Sequence, residues 1–168
     1  MMAFVLGSKS LANLEGVHPV LVKIVKRAIE ITEQDFGVYE GVRTLERQRK
    51  LVASGASKTL NSMHIPGPDR LGSKLNGILG HAVDLVPWID GQFRWEWGPC
   101  FKIACAVDRA ATEQLVADSV CWGGVWDRWL SQYGGTPEAM KAEVDAYSRR
   151  HPGPDFVDGP HYQVGRLG

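Results

Sequence analysis

The chain has no surplus of charge: nineteen Lys and Arg stand against nineteen Asp and Glu. Nucleic-acid binders meet phosphate with a basic excess, and no long Lys/Arg run substitutes for it here, so no nucleic-acid partner is expected. No apolar stretch approaches the roughly 20 residues that cross a bilayer, so no membrane insertion is expected. The apolar opening, Met1 to Gly7, has no basic residues before it, so no signal peptide is expected and another component must carry the chain to any substrate outside the cytoplasm. Cysteine is scarce: Cys100, Cys105 and Cys121 are odd in number and lack CxxC spacing, which fits a reduced compartment and buried small hydrophobes better than a disulfide framework. Internal repeats and low-complexity tracts are absent.

What remains is ordinary globular material. At 168 residues, 44% hydrophobic and 23% charged, the chain suits one packed domain, residues 1–168. Pro19 and a stripe through Val20, Leu21, Ile24, Val25, Ala28 and Ile29 predict a helix over 18–32. A short strand is predicted over 36–42, and then a helix capped by Thr44 and ended at Ser54-Gly55. Residues 65–79, punctuated by Pro66, Gly67, Pro68, Gly72 and Gly77, read as a loop excursion. A buried strand at 80–86, a helix at 99–118, a strand at 120–126, a helix opened by Thr136-Pro137-Glu138 and a final strand at 156–164 complete the pattern. Elements that do not alternate regularly imply an α+β domain with a small, mostly antiparallel sheet and packed helices.

The chemistry concentrates around few residues. Of five histidines, the informative ones sit near acids: Ser62-Met63-His64, then Gly80-His81-Ala82-Val83-Asp84, then Asp158-Gly159-Pro160-His161. A carboxylate amid Ala-Val-Asp-Leu-Val is costly to bury unless it is paired or binds a metal. Strand alternation puts Asp84 on one face with Gly80 and Ala82, and turns His81 away from it. The bland reading of Asp84 is a buried salt bridge or cap; that of His161 is a satisfied structural histidine. Two imidazoles and a carboxylate suit Zn²⁺ with an open position for water. Asp158 is the best unassigned candidate for a general base, and Arg43 for a cation facing a developing oxyanion, although alone it would read as a surface arginine. Most of the six tryptophans read as core or rim packing; Trp122 is the one expected near the site.

The ordered set Gly41-x-Arg43-Thr44, Ser62-x-His64, Gly80-x-Ala82-x-Asp84, Trp122-Gly123-Gly124 and Asp158-x-x-His161 resembles the VanY-like (LAS-type) zinc peptidases, and within them the phage endolysins that act as L-alanyl-D-glutamate peptidases. The resemblance implies a hedgehog/D-Ala-D-Ala peptidase-like fold and zinc bound by His64, Asp84 and His161. It also implies Asp158 as catalytic base, Arg43 assisting the substrate carbonyl, and Ser62 and Trp122 near the substrate. The implied substrate is the peptidoglycan stem peptide, cut at L-Ala-D-Glu by a monomer that a holin-like protein releases from the host cytoplasm to the wall. A D-alanyl-D-alanine carboxypeptidase, or a zinc-holding module without catalysis, are the rival readings. The chain departs from the family pattern in the 65–79 excursion, in Met63, in Val125 after Trp-Gly-Gly, and in a second insertion at about 127–155. Because the excursion leaves His64 and returns just before Asp84, it is expected to border the active-site mouth as a flap.

Overall fold

A computed structural model describes residues 3–154 and 156–168; expectations touching Met1, Met2 and Asp155, the far boundary of the second insertion, lie outside the described residues. In chain order the elements are α1 (Ser8–Asn13), α2 (Pro19–Ile31), β1 (Phe36–Glu40), α3 (Leu45–Ala53), β2 (Ala82–Ile89), β3 (Gln92–Phe93), α4 (Trp97–Glu113), a 3-10 turn (Ala117–Ser119), β4 (Val120–Trp122), β5 (Val125–Trp129), a second 3-10 turn (Leu130–Gln132), α5 (Pro137–Arg150) and β6 (His161–Val164). The fold is α+β, as expected. Its six-stranded sheet runs β1-β2-β6-β4-β5, with β3 paired to β2, and every named pairing is antiparallel.

Local chemistry explains the element ends. His18 caps α2 through Nδ1, which accepts from the Val20 amide, and Pro19 takes the first helical position, where no amide is needed. Thr44 and Thr136 cap α3 and α5 by accepting from the Arg47 and Ala139 amides. The predicted helix over 99–118 is shifted: it runs from Trp97 to Glu113 and stops before Leu115, which lies in the left-handed region. The single strand predicted over 120–126 is two strands turned back on one another at Gly123-Gly124. The last strand starts only at His161, because the His161 amide folds back onto the Asp158 carbonyl in a turn.

α4 lies against α2, α5 and β2, and α5 also packs on β5. The buried stripe of α2 (Leu21, Ile24, Val25, Ala28, Ile29) meets that of α4 (Ile103, Ala104, Val107, Ala110, Ala111), and both cover Val83, Leu85, Trp122, Tyr162 and Val164 of the sheet. Cys100 and Cys121 are buried and Cys105 half-buried, all three free, and burial pushes the Cys100 thiol up to about 12. They are core residues without nucleophilic character. With Val83 and Leu85 spent on the core, the carboxylate of Asp84 emerges from the opposite side of β2.

Candidate metal centre

Strand register alone builds half of the site. Asp84 pairs with Glu40 of β1 on one side and with His161 of β6 on the other, so three polar side chains form one row across the sheet. A β-bulge between Val38 and Glu40 lets Glu40 join that row. His64 comes from the loop that runs beside the start of β2, pinned where Met63 O accepts from the His81 amide and His64 O from the Arg43 amide. Ser62 Oγ accepts from the His64 amide at 3.3 Å and bends the loop into position.

The three donors converge. His64 Nε2 lies 3.2 Å from Asp84 Oδ1 and 3.2 Å from His161 Nδ1, and His161 Nδ1 lies 3.3 Å from Asp84 Oδ1. The outer ring nitrogens fix both tautomers. His64 Nδ1 sits 2.7 Å from the Gly41 carbonyl, an acceptor, so it carries the proton. His161 Nε2 meets Gln163 Oε1 at 2.9 Å, and the Gln163 amide is oriented by donating to the Arg166 carbonyl at 2.8 Å. Two bare lone pairs therefore face one another beside a carboxylate oxygen. Such a set repels itself unless a cation sits among its members, and two imidazoles with one carboxylate and outer hydrogen bonds are a donor set that can hold a metal ion. Electrostatics agree. Burial works against the charge of both groups, yet the His64 and His161 imidazoles hold Asp84 far below the usual carboxylate range, and Asp84 and Asp158 hold His161 above the usual imidazole value.

Around the donors lies a cleft of about 660 Å³, lined among others by Arg43, Ser62, Trp126, Phe156, Asp158 and Arg166. Asp158 is half-buried there; burial raises its pKa, and neighbouring Asp84 adds to the rise. Among the described residues no group donates a hydrogen bond to its carboxylate, which leaves it free to move a proton. Arg43 is buried. It donates to Gln48 Oε1 and Glu40 Oε2, both at 2.8 Å, and lies 3.4 Å from Asp84 Oδ2, while its Nε finds no partner among the described residues. Glu40 is clamped between Arg43 and Arg47; burial would raise its pKa, but the two guanidiniums outweigh it.

Trp122 stands against the site, as expected, but does not face a substrate. It is fully buried in the core, beneath the site, and its indole N–H donates to the Gly159 carbonyl at 2.7 Å, steadying the turn that carries Asp158 to His161. The aromatic beside the donors is Trp126, whose ring centroid lies 5.0 Å from that of His161. Gln163 went unnoticed in the sequence, although period two from His161 along β6 would have pointed to it.

The 65–79 excursion also departs from expectation: none of its residues lines the cleft. It folds back on itself through paired Gly67 and Leu79 and docks on the start of α2. There Asp69 Oδ1 meets His18 Nε2 at 3.1 Å, Ser73 donates to Asp69 Oδ2, and the Arg70 amide donates to His81 Nε2. His18, Asp69 and His81 are close enough to resemble a second ligand set, but each imidazole nitrogen already has a partner: Val20 and Asp69 for His18, Leu79 and Arg70 for His81. This cluster is a latch for the excursion, on the side of β2 away from Asp84.

Comparison with known proteins follows the same lines. Residues 2–145 match the family model described as phage L-alanyl-D-glutamate peptidase. The L-alanyl-D-glutamate peptidase of Escherichia phage T5 is 33% identical over 94 residues, covering 56% of this chain and 61% of that protein. The chain thus spans less than two thirds of that relative's length. The crystal structure of Serratia marcescens L-Ala D-Glu endopeptidase ChiX superposes with a TM-score of 0.64 at 32% identity, covering 95% of this chain and 90% of the other. The chain belongs to the phage L-alanyl-D-glutamate peptidase family.

Proposed function

We propose that this member of the phage L-alanyl-D-glutamate peptidase family is a zinc peptidase that hydrolyses the L-Ala–D-Glu amide of the peptidoglycan stem peptide. The observation that carries the reading is the convergence of His64 Nε2, Asp84 Oδ1 and His161 Nδ1 at 3.2–3.3 Å, with both imidazole lone pairs turned inward, beside an Asp158 carboxylate that has no hydrogen-bond donor among the described residues, in an open cleft.

His64, Asp84 and His161 would hold zinc, which supplies Lewis acidity toward the amide carbonyl and acidifies water at the same locus. Asp158 takes a proton from the attacking water and passes it to the amide nitrogen as the C–N bond breaks, leaving a carboxylate on L-Ala and a free amine on D-Glu. A carboxyl whose pKa is raised by burial suits both halves of that transfer. Arg43 holds Asp84 in place through its second oxygen and brings positive potential to the carbonyl as negative charge develops on it. Ser62, on the cleft wall, contacts the peptide.

In biological terms the reading is a phage endolysin. In this reading a separate, holin-like protein gives it passage to the wall; among the described residues no helix is long and apolar enough to cross a membrane. Mass spectrometry of products from purified peptidoglycan tests the assignment. New C-terminal L-Ala and N-terminal D-Glu ends are expected. Release of single D-Ala residues would make it a carboxypeptidase, and binding without cleavage would make it a non-catalytic module.

A further inference from the structure

The cleft's cations are not equivalent. Arg43 is engaged by Glu40 and Asp84, and Arg47 by Glu40. Lys58 donates to the Pro154 carbonyl and stands 5.5 Å from the centre of the Phe156 ring. Arg166 differs from both arginines in having no carboxylate partner among the described residues, and from Lys58 in carrying a planar guanidinium. It is half-buried on the cleft wall, and among the described residues its one hydrogen-bond acceptor is the Asn61 carbonyl at 3.0 Å and no carboxylate forms an ion pair with it. Behind it lies Arg70, whose backbone passes close to Gly165. Burial, reinforced by the Arg70 charge, lowers the Arg166 pKa, which is the behaviour of a guanidinium held without its counter-ion.

Arg166 is also tied to the metal centre. Its backbone carbonyl accepts from Gln163 Nε2, and Gln163 Oε1 accepts from His161 Nε2, so two hydrogen bonds of 2.8 and 2.9 Å join His161 to the Arg166 main chain. The guanidinium itself is held on the cleft wall by its bond to the Asn61 carbonyl. Planar forked donors on such a mount match a carboxylate better than any other common group.

We propose that Arg166 forms a carboxylate subsite for the leaving-side residue of the substrate, an inference that rests on the peptidase reading above. D-Glutamate has two carboxyl groups, so one stays free when the other continues the peptide. The free group sits on the residue whose nitrogen is released. Seating it on Arg166 orients the scissile amide against Asp158 and the metal donors and selects an acidic residue at that position. Arg166 touches substrate in this account but moves no proton.

The test compares two tripeptides in which L-Ala–D-Glu is continued through one glutamate carboxyl by a further residue, and which differ only in whether the other carboxyl is free or amidated. Wild-type enzyme should show kcat/KM about 10-fold or more higher for the acid, as expected of a charge-assisted pair. In Arg166→Gln, which can still donate to Asn61, the ratio should collapse toward one, chiefly through KM for the acid. Arg166→Lys should restore part of it, and metal content should stay at one equivalent throughout. Equal cleavage of acid and amide by the wild type, or a preference undiminished in Arg166→Gln, overturns the subsite while leaving the peptidase reading intact. Cleavage of neither peptide by a zinc-loaded wild type that also leaves peptidoglycan uncut overturns both.

Discussion

Gly123 and Asp158 are in backbone contact: the Asp158 amide donates to the Gly123 carbonyl at 2.8 Å, and a Cβ at position 123 would collide with the Asp158 carbonyl oxygen. It would also press on His161 Cβ at 3.0 Å. One glycine therefore lets β4 lie against the turn that carries both the proposed base and a proposed metal donor, and this closeness accounts for the Trp-Gly-Gly motif more directly than any contact with substrate. Gly123→Ala should displace the turn and lower both metal affinity and activity by at least ~10-fold each, because a shift of about 1 Å at a catalytic group is costly. Isothermal titration with zinc and a peptidoglycan turnover assay read the two effects; unchanged values for both would mean that the turn has slack.

Asp158→Asn separates the base from the metal. The amide leaves His64, Asp84 and His161 untouched, so zinc content should stay at one equivalent while turnover falls at least ~10²-fold. Near-normal turnover would move the base elsewhere. Glu40 is a poor substitute, because two arginines hold it in its ionised form.

The excursion was expected to be a flap and is instead latched to His18 and His81. Replacing residues 66–78 by a short Gly-containing turn should leave zinc content and KM for stem peptides within about twofold of wild type and should lower Tm, since the Asp69–His18 and Arg70–His81 bonds go with it. A large change in KM would restore the flap.

The contrast between excursion and metal centre shows what the chain reveals on its own. Asp84 stood out because an acid among Ala, Val and Leu demands a partner, and alternation along the strand separated it correctly from His81. The same alternation, carried one step further, puts the returning excursion on the His81 side of β2. Pinning both ends of a loop near a candidate metal site does not say which way the loop leaves, and that depends on Asp69 finding His18, 51 residues earlier. The expectation that Trp122 faces substrate fails for a related reason: an indole beside two glycines looks the same in sequence whether its ring faces a cleft or a core. Its neighbour Trp126 took the place by the metal donors because β4 turns back at Gly123-Gly124.

Metal affinity should depend on pH with a definite sign. Burial disfavours a charged His161, but Asp84 and Asp158 outweigh it and raise its pKa above the ordinary value of about 6.5. Protons then compete with zinc beginning at a higher pH than at an isolated imidazole, and affinity should fall as pH drops from above the ordinary imidazole value down through it. Competition against a chelator of known affinity across that range measures it. A flat profile would show that His161 is not a ligand.

The most direct test of the central claim is reconstitution. Chelator-stripped protein should leave purified peptidoglycan uncut, and titrating zinc should restore cleavage along a line that breaks at one equivalent per chain. Asp84→Ala should neither retain zinc nor recover activity at that stoichiometry. Full activity in the stripped protein, or a full zinc equivalent held by Asp84→Ala, would contradict the assignment of His64, Asp84 and His161 as the metal centre of this peptidase.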